Sequence, residues 1–164
     1  MTPITILVGT MTGNAEYAAE ELQQVLRDEY GREVDFLLMD KLGPEVFERE
    51  GVFLICTSTY GTGDVPENAQ RLYRGLRELR PDLGGVRYAV FGLGDSTYGD
   101  TFNFGGKNFD DILTTLGASR LGERAKHDAR SNIPAGDFGR EWVRVWYESV
   151  REALDRAEGA EGAA

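Results

Sequence analysis

Two kinds of apolar pattern take turns along this chain. Short runs, Ile4 to Val8, Val34 to Met39, Val52 to Ser58 and Tyr88 to Phe91, predict strands, with a weaker fifth near Arg120 to Lys126. The third, VFLICTS, is apolar without alternation, as expected of a strand covered on both faces. Between the runs, apolar residues recur at helical spacing: Ala18, Leu22, Val25 and Leu26, then Ala69, Leu72, Tyr73, Leu76 and Leu79, then Phe109, Ile112, Leu113 and Leu116. A last helix carries Phe138, Trp142, Val145, Trp146 and Leu154, which assigns both tryptophans to the core. The connection from Leu42 to Glu50 is short and holds Pro44 at a first-turn position. Parallel neighbours need crossovers, so this rhythm predicts an α/β fold with a doubly wound, five-stranded parallel sheet and helices on both faces.

The 164 residues and 41% apolar content fit one domain, expected over residues 1–156, followed by a small-residue, acidic tail at 157–164 expected to be flexible. The longest apolar run, Val52 to Cys56, falls far short of the roughly 20 residues of a membrane span. No signal segment opens the chain, so a cytoplasmic location is expected. Acidic residues outnumber basic ones 28 to 18, a net charge of −10, which disfavours nucleic acid and favours cationic protein surfaces as partners. A lone cysteine, Cys56, excludes an internal disulfide and reads as core filling; the lone histidine, His127, sits in a polar stretch and reads as a surface residue. No metal site is expected.

In doubly wound sheets, ligands sit beyond the carboxyl ends of the strands, so the segments after strands one, three and four are the ones to inspect. After the first comes GTMTGNAE, Gly9 to Glu16, where Thr10, Thr12, Gly13 and Asn14 would turn N–H groups and hydroxyls into a concavity at a positive helix end. The loop has no lysine or arginine and matches neither G-x-x-x-x-G-K-[ST] nor G-x-G-x-x-G, so it suits a single phosphate monoester; the plainer alternative is a helix N-cap by Thr12. After the third strand, STYGTGDVPENA places Tyr60 among Gly61 and Gly63, an aromatic suited to a flat heterocycle or simply an exposed turn tyrosine. After the fourth, FGLGDSTYGDTFNFGG brings Tyr98, Phe102 and Phe104 to the same sheet edge.

On these residues the chain resembles the flavodoxin family of FMN-binding electron carriers, from Ile4 to about Val150. It is most similar to the short MioC-type branch and to the FMN domains of sulfite reductase and other diflavin reductases. The shared motifs are T-G-x-A-E at Thr12 to Glu16, T-Y-G-x-G-D at Thr59 to Asp64 and G-L-G-D/N-x-x-Y at Gly92 to Tyr98, and RPDLGGVRYAVFGLGD, Arg80 to Asp95, is especially MioC-like. The resemblance implies the strand order 2-1-3-4-5 and FMN as cofactor. It implies that Thr10, Thr12, Gly13 and Asn14, with Met11 in the same loop, hold the phosphate. Ser58, Thr59, Tyr60, Gly61 and Gly63 would line one side of the flavin, and Gly92, Leu93, Gly94 and Asp95 the other. Tyr60 would flank the isoalloxazine, with Tyr98 or Phe102 on the opposite face, because the Phe102-Asn103 pair lies one residue further from Tyr98 than in the diflavin pattern. Gly61 would turn its carbonyl toward protonated flavin N5, Asn103 would lie near the ring or ribityl chain, and Asp128 would be the acid after the fifth strand.

These roles describe a low-potential, monomeric carrier of single electrons with no catalytic residues of its own. Its partners would be an NAD(P)H-dependent flavodoxin reductase and an electron-accepting enzyme. Both would dock on an acidic rim of Asp64, Glu67, Asp95, Asp100, Asp110, Asp111 and Asp128. The alternative of the same fold is an FMN-dependent NAD(P)H:quinone oxidoreductase, which needs insertions or oligomer contacts not visible here. A phospho-acceptor receiver would want acids where Gly9-Thr10 and Ser58-Thr59 stand.

Overall fold

Strands buried on both faces must be apolar throughout, and the runs identified above become a parallel sheet in the computed structural model, which describes residues 1–163 and their side chains as far as Leu154. The 157–164 tail lies outside the described side chains. In chain order the elements are β1 (Ile4–Gly9), α1 (Asn14–Asp28), β2 (Val34–Leu38), β3 (Val52–Thr57), α2 (Gln70–Leu79), β4 (Arg87–Gly94), α3 (Phe104–Thr115), β5 (Ser119–Arg120), β6 (Ala125–Asp128) and α4 (Ala135–Ala163). The sheet runs β2-β1-β3-β4-β5, all parallel, with β6 also paired to β4. This is the doubly wound, flavodoxin-like order. Between β2 and β3 the crossover is only a pair of 3₁₀ turns, the second opening on Pro44. Among the described residues no helix is long and apolar enough to cross a membrane.

Alternate strand residues feed separate cores. Ile6, Leu54, Cys56 and Phe91 face α1 and α4, whereas Leu7, Phe53, Ile55 and Val90 face α2 and α3. Cys56 is buried as expected, and its desolvated thiol is pushed well above the ordinary range. Trp146 is buried and Trp142 rests partly buried against the same core. Two residues of the helical stripes are not core: Leu79 is 72% exposed and Val145 66%. Leu79 ends α2 just before the chain turns away through left-handed Arg80, and Val145 lies off the face defined by Trp142, Val143, Trp146 and Tyr147.

Two boundaries differ from the sequence pattern. The fifth strand is split, because the chain breaks at left-handed Gly122, where a side chain would crowd Trp146, whose indole N–H donates to the Leu121 carbonyl. β4 is longer than expected: pairing of Gly92, Leu93 and Gly94 with Lys126, His127 and Asp128 draws the Gly-Leu-Gly segment into the sheet.

On the α3 side, Tyr88 carries a buried polar network. Its hydroxyl donates to Asp110 Oδ1 at 2.5 Å and bonds Thr114 Oγ1 at 2.7 Å, while Asp110 also pairs with Arg120. Asp110 is therefore buried between α3 and β5 and does not belong to the acidic rim. Tyr88→Phe is expected to lower unfolding free energy by about 1–3 kcal/mol, as the hydroxyl's bonds to Asp110 and Thr114 are lost, a loss readable in urea denaturation.

Candidate cofactor-binding cleft

A cleft of about 740 Å³ opens at the carboxyl ends of β1, β3 and β4, where the strand order reverses. Its first wall is the loop from β1 to α1. Gly13 occupies the N-cap position with φ 90°, a conformation that suits glycine, and no side chain caps the helix, so Thr12 is not the cap. Thr10 works inward: its hydroxyl accepts from Gly13 N–H at 2.9 Å and its own N–H donates to Asn68 Oδ1 at 2.7 Å. The N–H groups of Met11, Thr12, Asn14 and Ala15 have no acceptor among the described residues, and Met11, Thr12 and Asn14 line the cleft. With the N-terminus of α1 behind them and no lysine or arginine in the cleft lining, these groups form an uncharged anion cradle.

The second wall follows β3. Tyr60 and Asp64 exchange backbone hydrogen bonds at 2.8 and 2.9 Å, closing a small hairpin whose tip carries Gly61. Asn108 ties the Gly63 carbonyl and Gln70 the Val65 carbonyl from behind. Thr59 bridges to the third wall, donating to the Leu93 carbonyl and accepting from Gly105 N–H, both at 3.0 Å. Tyr60 is left 50% exposed and Tyr98, across the cleft, 52%. Gly61 has φ 56° and open space around it.

The third wall explains the Gly-Leu-Gly motif. Asn103 is fully buried in a left-handed conformation and lies directly on β4: a Cβ at Gly92 would collide with its Oδ1, and one at Gly94 would come within 2.8 Å of its backbone nitrogen. Its amide donates to the His127 carbonyl at 3.0 Å, and its Oδ1 is buried without a partner. Asp95 is held below the usual aspartate range by bonds from the Thr97 hydroxyl and from Thr97 N–H, and Asp128 by bonds from Arg130 N–H and from the Ser96 hydroxyl and N–H.

Of the residues singled out in the sequence, Met11, Thr12, Asn14, Ser58, Thr59, Tyr60, Gly61, Leu93, Gly94, Asp95, Tyr98, Phe102 and Asn103 line one cleft. Thr10, Gly13, Gly63, Gly92 and Asp128 are not among the residues that line it. A fourth wall, Ala129 and Ser131 to Ala135, lies outside the motifs, although Pro134 before the last helix marks it. His127 belongs with it and is buried, not on the surface: Nε2 sits 2.7 Å from the Ile133 carbonyl and the ring lies 5.3 Å from Phe138. Tyr17, from the first turn of α1, closes the same end.

The fold and cleft define a doubly wound protein with a switch-point site for a ligand that has an anionic tail and a flat ring. The family model described as Flavodoxin matches residues 6–138. The chain is 38% identical over 150 residues to Flavodoxin YqcA of Pectobacterium carotovorum subsp. carotovorum, covering 92% of this chain and 98% of that one. It is 34% identical over 153 residues to Protein MioC of Escherichia coli (strain K12), covering 92% and 100%. Among solved structures it resembles a point mutant of Flavodoxin from Pseudomonas aeruginosa, with TM-score 0.76 and 30% identity over 91% of this chain and 99% of that one. The chain belongs to the flavodoxin family.

Because the folded Asp128 carboxyl is depressed, the order it contributes is complete above the usual aspartate range and is lost as pH falls through the lower, folded value. Protection of the Ser96 and Arg130 amides, followed by hydrogen exchange corrected for intrinsic rate, is expected to drop on acidification below that range. In Asp128→Ala the protection is expected to be low at every pH.

Proposed function

We propose that the cleft holds FMN and that the chain is an electron-transfer flavodoxin. The observation that carries the reading is the pairing of an uncharged N–H cradle with two half-exposed tyrosines across one switch-point cleft. Membership of the flavodoxin family supports the same ligand. The fit is chemical as well as spatial. A phosphate monoester needs several donors and no counter-ion when a helix N-terminus stands behind them, and the N–H groups of Met11, Thr12, Asn14 and Ala15 are available. Thr10 and Gly13 act one step back, since their own N–H groups are already bonded.

Tyr60 and Tyr98 would flank the flavin ring, with Phe102 behind, and the rigid hairpin at residues 60–64 would hold the first of them in place. Gly61 would offer a carbonyl acceptor to a proton on flavin N5, its free surroundings leaving the peptide room to reorient. Bound FMN supplies the redox chemistry; the chain binds it, orients it and sets its electrostatic surroundings. With Asp95 in the lining and net charge −10, added negative charge on the ring is disfavoured, which makes the reduced carrier a strong electron donor. The same sign of charge would steer basic faces of an NAD(P)H-dependent reductase and an acceptor enzyme to the cleft mouth, where Asp64, Glu67, Asp95 and Asp100 remain in solvent reach.

Purified protein is expected to be yellow and to release FMN on denaturation; colourless protein that also fails to take up added FMN would overturn the reading. Tyr60→Ala is expected to weaken flavin binding by about 1–3 kcal/mol, the scale of one aromatic stack on a flat heterocycle, measured by fluorescence quenching. Asn68→Ala is expected to weaken FMN about tenfold through the displaced Thr10 peptide while leaving riboflavin, which lacks the phosphate, nearly unchanged.

A further inference from the structure

Two side-chain bonds clip the β1–α1 loop to the segment that follows the Tyr60 hairpin. One is the amide bond from Thr10 N–H to Asn68 Oδ1, at 2.7 Å, backed by Asn68 Nδ2 on the Val8 carbonyl at 3.3 Å. The other runs in the opposite sense: Glu67 N–H donates to the thioether sulfur of Met11 at 3.2 Å. An amide is chemically inert, but a thioether is not. Met11 is 42% exposed at the cleft, whereas Met39 is fully buried and Met1 lies away from the cleft lining. The clip therefore contains one oxidisable atom, and that atom is an acceptor in it.

We propose that Met11 is a peroxide-sensitive modification site whose oxidation loosens the loop that grips the cofactor phosphate. The oxidant is hydrogen peroxide, which a reduced flavin exposed to dioxygen releases. The sulfur donates an electron pair to one peroxide oxygen as the O–O bond breaks. The products are methionine sulfoxide and one water, and a methionine sulfoxide reductase with a thiol reductant reverses the change. Sulfur then carries a bulky, strongly hydrated oxygen where the Glu67 N–H had pointed. Acceptance moves one bond further out, and the close N–H···S contact cannot persist unchanged. Because Met11 N–H itself belongs to the uncharged cradle, a shift of this residue misplaces a phosphate donor directly. The isoalloxazine end of the cleft, built on Tyr60, Tyr98 and Asn103, has no bond to Met11.

The inference rests on the FMN reading, and its test separates the two. The protein is treated with hydrogen peroxide, oxygen addition is mapped by peptide mass spectrometry, and dissociation constants for FMN and riboflavin are measured by fluorescence quenching before and after. Oxygen is expected on the Met11 peptide and not on Met39. The FMN dissociation constant is expected to rise roughly fivefold, the size of one lost neutral hydrogen bond, while that of riboflavin stays the same. Met11→Leu, which removes the acceptor, is expected to start at the weakened FMN value and to be indifferent to peroxide even when Met1 is oxidised. Complete oxidation of Met11 with FMN affinity unchanged, equal weakening of FMN and riboflavin, or a Met11→Leu variant that still loses affinity in peroxide would overturn the proposal. Untreated protein that binds no FMN would overturn the cofactor reading and this proposal together.

Discussion

Parallel strands share one direction, and from that constraint the cleft follows. β1, β3, β4 and β6 all end at the same edge of the sheet, so the segments leaving them are neighbours although they are far apart in sequence. A helix that returns the chain from that edge begins there, which sets the N-termini of α1 and α4 on either side of the cleft, one beyond the β1–α1 loop and the other beyond residues 129–134. The walls are then locked to one another by bonds between loops: Ser58 N–H to the Gly9 carbonyl, Thr59 to Leu93 and Gly105, Ala129 N–H to the Gly94 carbonyl. No wall stands on its own strand alone.

Much of this was legible in the sequence for a simple reason. A strand covered on both faces must be apolar along its whole length, so the runs at Ile4, Val34, Val52 and Tyr88 announced themselves. The loops after three of them carried glycine, and two of those carried tyrosine as well, in a combination that local structure does not require. What escaped depends on partners distant in the chain. Gly92 and Gly94 look like loop residues until Asn103 is laid across them. His127 looks solvated until the Ile133 carbonyl folds over it, and Asp110 looks like rim charge until Tyr88 and Arg120 claim it from two strands. Asn68 gives no local sign at all, since its amide acts on Thr10, 58 positions earlier. Phosphate grip, flavin stacking and partner docking could each be proposed from residue types, but which N–H groups are free to bind could not.

In the proposed reading the cradle between β1 and α1 would bind through oriented peptide dipoles instead of ionised side chains, and the acidic rim would work through long-range fields. Mobile ions act unequally on the two. Attraction between exposed charges fades as the Debye length shortens, whereas short, partly enclosed N–H contacts are scarcely affected. On that reading, raising ionic strength would part the two functions: the prosthetic group would stay seated while encounters with oppositely charged redox proteins became rare.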